Sequence, residues 1–102
     1  MKDCCRAYLD EQFGGDADVV GEIYSEYVSS MGVKLAEADT AVASGDWKML
    51  DHVAHTVKGN ALAVGDTEMA ETAIALRKAS ALADAAEAAS LMAKLRGHAA
   101  QL

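Results

Sequence analysis

Apolar residues recur along this chain at spacings of three and four, as helices with one buried face require. The longest run is Val20, Ile23, Tyr24, Tyr27, Val28, Met31, Leu35, Ala38 and Val42. It predicts a long helix, capped by Asp16 or Asp18 and closed at Ser44-Gly45, where glycine suits the left-handed position after a helix end. Ahead of it, Cys5, Leu9 and Phe13 stand one turn apart and predict a short helix from Asp3 to Phe13, broken by Gly14-Gly15. Asp46 caps a third helix that stops at Gly65, with Leu50, Val53, Val57, Ala61 and Val64 on one side. Asp66 or Thr67 opens a fourth, whose inner row reads Met69, Ala73, Leu76, Ala79 and Ala83. Asp84 opens the fifth, paired with Glu87 as in a capping box, and Ala88, Leu91, Met92, Leu95, Ala99 and Leu102 face inward.

No period-two run of β-branched residues is present, so a sheet is not expected. Proline is absent, and Ala, Leu, Met, Glu and Lys are plentiful, which favours uninterrupted helices. The connections are short, and short connections make consecutive helices pack antiparallel. The expected fold is therefore all-α: an antiparallel up-down-up-down four-helix bundle over residues 16–102. Residues 1–15 would form a short N-terminal lid helix and turn, all within one domain, 1–102. The 102 residues suffice for a core without metals or disulfides.

A net charge of −7 and a pI of about 4.7 repel phosphate backbones, so nucleic-acid binding is not expected. No apolar stretch approaches the ~20 residues needed to span a bilayer, and the N-terminus lacks a signal-peptide core. Cys4 and Cys5 are adjacent and have no third partner, which excludes a disulfide scaffold; they could bind metal or carry a modification, but a structural or incidental role is expected. A cytoplasmic, monomeric protein is the simplest expectation, and the starting Met with its short leader favours a free-standing one.

Candidate chemistry lies in the third helix, in the run His55-Thr56-Val57-Lys58-Gly59. Positions i, i+3 and i+4 are surface neighbours, so an imidazole, a cation and a missing side chain share one face. With each residue advancing about 100°, Lys48, Asp51, His52, Lys58, Gly59 and Leu62 fall beside His55, opposite the apolar row. His55 is thus predicted to face water. A neutral imidazole, with an ordinary pKa of about 6.5, is a competent nucleophile near neutrality. Attack on an acyl phosphate would give a transferable phosphoramidate, and phosphoryl transfer depends chiefly on positioning and charge stabilisation. Lys58 would supply that charge, Gly59 would leave the ring's flank bare, and Leu62 would offer an apolar docking contact.

The stretch Ala54-His55-Thr56-Val57-Lys58-Gly59-Asn60-Ala61, with Val64-Gly65 ending the helix, resembles the histidine phosphotransfer (HPt) family, and a looser pattern match extends from about Asp16 to Leu102. The resemblance implies a phosphocarrier in a two-component multistep phosphorelay, without kinase activity or a nucleotide site. His55 would be phosphorylated at Nε2, with Lys58 the auxiliary cation and Gly59 the access residue. It would accept phosphate from the aspartate of one receiver domain of a response regulator and pass it to another, a hybrid histidine kinase being a further partner. Mg²⁺ would belong to the receiver, so no cofactor is expected on this chain. Lys48, His52, Leu62 and Arg77 would border the docking surface. Arg77 departs from the family, many of whose members hold the imidazole Nδ1 with a Gln on the next helix. Arg cannot accept a hydrogen bond from Nδ1–H. Either the ring is oriented otherwise, or Arg77 serves as a second phosphate cation.

Other readings compete. His52 and His55 could ligate a metal, but zinc needs three or four ligands, and Lys48 and Lys58 oppose a cation, so no metal site is expected. Asn60 is expected to bond to another helix, Trp47 to pack, and His98 to complement the dipole of the last turn. No Ser-His-Asp set, P-loop or dinucleotide fingerprint occurs. Two rival functions remain: a helical interaction module without phosphotransfer, and a direct substrate module of a histidine kinase.

Overall fold

The computed structural model describes residues 1–102 and contains five helices and no strands: α1 (Asp3–Gln12), α2 (Ala17–Ser44), α3 (Trp47–Ala63), α4 (Thr67–Ala81) and α5 (Ala85–Ala99). The 28 residues of α2 reach about 42 Å at 1.5 Å per residue, the full length of a molecule measuring 43 × 20 × 19 Å. Each helix from α2 to α5 packs on the next, and α5 returns to α2. No helix is long and apolar enough to cross a membrane.

One turn design is used three times. After α2, the Asp46 N–H donates to Ala41 O and the Gly45 N–H to Val42 O. After α3, Asp66 donates to Ala61 O and Gly65 to Leu62 O; after α4, Asp84 donates to Ala79 O and Ala83 to Ser80 O. This paired 6→1 and 5→2 pattern satisfies carbonyls that the helix end leaves orphaned. In every case the donor aspartate also caps the next helix, accepting from Met49 N, Met69 N or Glu87 N at 3.0–3.4 Å. Asp16 caps α2 in the same way, through Val19 N. The expected N-caps thus resolve to Asp16 and Asp66.

The apolar rows pack as the spacing predicts, with three corrections. Leu50, Val53, Val57, Ala61 and Val64 are all buried, and Ala54 joins them. Phe13 is exposed, because a row stepping four residues at a time drifts by about 40° per step and the chain has left helical geometry by then. Val28 is 38% exposed, on the flank of the seam that Tyr24, Tyr27 and Met31 follow. Ala83 lies outside α4, exposed, at φ +51° in the left-handed position that Gly45 and Gly65 fill in the other two turns.

Residue α1 neighbours explain how the N-terminal segment is held. Asp66, fully buried between α3 and α4, accepts from Lys2 Nζ at 3.0 and 3.2 Å and from Tyr27 Oη at 2.8 Å. Lys2 N donates to Tyr24 Oη. Tyr8 covers Gly65 so closely that a Cβ there would come within 2.5 Å of the Tyr8 Cβ. Gly65 is therefore required twice, by that contact and by its φ of +73°. Every buried side-chain polar atom in the molecule has a partner.

Burial pushes the Cys5 thiol up to about 12 from its ordinary 9.0, reinforced by the Asp66 carboxylate and by Cys4. Burial, then the hydrogen bond to Asp66, also raises Tyr27. The folded protein holds these protons where the unfolded chain releases them. Stability should be complete below about pH 9 and fall as pH rises from 9 toward 12. In urea titrations, Cys5→Ala should flatten the decline between pH 9 and 10; an unchanged slope refutes this. Ala83→Gly should raise stability by roughly 0.5–1 kcal/mol, since an L-residue in the left-handed region costs about 1–2 kcal/mol and glycine returns part in entropy. A thermal melt decides it.

Candidate functional site

The apolar seam of α3 turns His55 outward, and the ring is exposed. Its Nδ1 lies 3.1 Å from Arg77 Nη1, on α4. Arg77 Nε in turn donates to Asp51 Oδ1 at 3.0 Å, one turn before His55. The guanidinium thus spans the α3–α4 interface between a carboxylate and the imidazole. Beside them is an open groove of about 420 Å³ lined by Asp51, Lys58, Ile74, Arg77, Lys78 and Ala81. Lys58 and Lys78 form no ion pair, so the groove keeps two free ammonium groups next to the histidine.

The remaining expected residues lie where the helical wheel assigns them. Lys48 and His52 are exposed on α3. Leu62 is 50% exposed, a large apolar side chain on the polar face. Gly59 has nothing within 4 Å of where its Cβ would be, so no neighbour inside the protein demands a glycine there. Asn60, half-buried, donates to Ser30 Oγ of α2 at 3.2 Å, as expected of an interhelical bond. Trp47 packs on the core, and its carbonyl accepts from the buried Ser80 Oγ. His98 does stand in the last turn of α5, and its Nδ1 also meets Glu68 at 3.3 Å.

Three features were not foreseen. Ile74 and Lys78 join the groove because α4 presents positions i, i+3 and i+4 around Arg77 to α3, a register that no single-helix wheel contains. The Asp51–Arg77 bridge arises from the same register. The third is a cluster of Cys4, Cys5 and Asp66, whose ligand atoms lie within 4.8 Å of one another. Lys2 Nζ already neutralises that carboxylate.

A family model, the Hpt domain, matches residues 22–102. This covers most of the chain and all of α3, α4 and α5, and the protein belongs to the Hpt domain family. Hpt domains are phosphocarriers of two-component phosphorelays, have no kinase activity of their own, and work with receiver domains and histidine kinases. No individual curated protein and no solved structure matches the chain.

If Gly59 answers only to an outside visitor, Gly59→Ala should fold normally and gain about 0.5–1 kcal/mol in thermal stability, the helix-propensity difference. A loss of stability would mean that the interior needs the gap.

Proposed function

We propose that the chain carries a phosphoryl group on His55, taking it from the phosphorylated aspartate of one receiver domain and handing it to another. Residues 1–102 act as one domain, an antiparallel up-down-up-down four-helix bundle of α2 to α5 with α1 as a lid. The observation that carries the reading is an exposed imidazole, in an acidic protein, beside a groove holding Lys58, Arg77 and Lys78. The two lysines suit the equatorial oxygens of a phosphoryl group in flight, where charge stabilisation supplies most of the catalysis.

Nε2, on the free side of the ring, is the attacking atom. Its lone pair forms the P–N bond as the P–O bond to the receiver's carboxylate breaks, and the carboxylate leaves with the bonding pair. Lys58 steadies the phosphoryl oxygens, and Gly59 lets the receiver's acidic pocket approach, that pocket bringing its own Mg²⁺. Lys48, His52, Leu62 and Arg77 border the docking surface, Leu62 as the apolar contact. The carrier works as a cytoplasmic monomer and needs neither nucleic acid nor a membrane.

Incubation with a labelled phospho-receiver should give acid-labile, base-stable label on wild type and none on His55→Gln; equal label on both rejects the proposal. Label acquired from a histidine kinase and ATP alone would favour the kinase-substrate reading instead. Lys58→Ala should slow transfer by about tenfold, less than the roughly hundredfold or more that a positioned donor contributes in a water-excluded site, because Lys58 is only half-buried.

A further inference from the structure

Arginine has five donors and no acceptor. Its 3.1 Å contact with His55 therefore makes Nδ1 the acceptor, and a neutral ring in this arrangement carries its proton on Nε2. Asp51 holds the guanidinium from the other side at 3.0 Å, so the contact is braced. We propose that Arg77 is a positioning residue that keeps His55 at rest in the tautomer whose Nε2 has no lone pair for attack, and guards the phosphorylated ring against hydrolysis. The second half rests on the phosphocarrier reading; the first does not.

With Arg77 bound, the Nε2 lone pair is absent because that nitrogen bears hydrogen. Nη1 must withdraw, the guanidinium staying on Asp51 through Nε, before water can carry the proton from Nε2 to Nδ1. Nε2 then attacks phosphorus, and the receiver's carboxylate departs with the P–O bonding pair. The ring now holds phosphoryl on Nε2 and a proton on Nδ1. Loss of that proton to water leaves a neutral ring bearing the anionic phosphoryl group, and its Nδ1 lone pair fits Arg77 again.

This last fit determines lifetime. Hydrolysis of a ring phosphoramidate is fast when Nδ1 is protonated, because neutral imidazole then leaves with the P–N bonding pair as water adds to phosphorus. A guanidinium on Nδ1 occupies the lone pair that proton needs, and repels the proton as well. The other charged groups around the ring are Asp51, His52 and Lys58 on α3 and Lys78 on α4. On the α2 side, Lys34 is paired with Glu37 one turn beyond Ser30. Of these, Asp51 alone borders the groove with negative charge, and Arg77 already engages it.

Gln is the informative substitution, because its carbonyl can accept from Nδ1–H and so reverses the preference. Ring-nitrogen NMR of ¹⁵N-labelled protein should find Nε2–H in wild type and a shift toward Nδ1–H in Arg77→Gln. Both proteins can be phosphorylated with potassium phosphoramidate and their phosphohistidine decay followed by ³¹P NMR. At pH 6 the variant should decay roughly five- to tenfold faster, the effect of one exposed charge about 4 Å away. Asp51→Asn, which frees the guanidinium, should lie between the two. Nδ1–H in the wild type, or equal decay in wild type and Arg77→Gln, overturns the proposal. A wild type that takes phosphoryl from neither phosphoramidate nor a phospho-receiver overturns the carrier reading, and the storage half falls with it. The tautomer measurement still judges the rest.

Discussion

The seam Leu50, Val53, Ala54, Val57, Ala61 and Val64 fixes the rotation of α3 about its own axis, and from that rotation the site follows. Turning the helix by half a revolution would bring its four larger apolar side chains into water, at a cost of roughly 6–12 kcal/mol. That is comparable with the whole stability of an ordinary domain. The imidazole is exposed because its opposite face cannot be. No local interaction of His55 has to hold it outward, and its nitrogens remain available for Arg77 and for visitors.

The turns convert that rotation into a site shared by two helices. Asp66 ends the α3 turn, caps α4, and receives Lys2 and Tyr27 on the same carboxylate. By fixing how α4 leaves α3, this turn helps set the register that brings Arg77 opposite Asp51 and His55. The buried charge is tolerated because both of its oxygens accept from the Lys2 ammonium group, and one of them from the Tyr27 hydroxyl as well. The N-terminal helix thus reaches the histidine helix through an ionic contact at its far end, and Tyr8 over Gly65 closes the join.

Much of this was readable from residue order. The five helices, the aspartate caps of α2 to α5 and the outward histidine all follow from spacing within single segments. What failed, failed for reasons outside a segment. Phe13 and Val28 belong to apolar rows on paper, but a row's edge is buried only if a neighbour extends over it. Ala83 continued a helical pattern, yet the aspartate after it demanded the same turn that glycine makes elsewhere. Arg77 was singled out, while its bond to Asp51 and the company of Ile74 and Lys78 depend on how far α4 slides along α3. That distance is a property of two packed surfaces. The Cys4, Cys5 and Asp66 cluster, separated by sixty residues of chain, is illegible for the same reason.

The distribution of cations has a consequence for encounters. Of nine lysines and arginines, Lys48, Lys58, Arg77 and Lys78 gather on the α3–α4 side, within a molecule whose overall charge is −7. Such a body is electrically lopsided: its bulk repels another acidic protein, while one pole attracts it. Within a Debye length of about 8 Å at physiological salt, that field applies a torque, so an anionic visitor meets the molecule histidine-first. Orientation is then partly chosen before any surfaces touch, and added salt would blunt the choice.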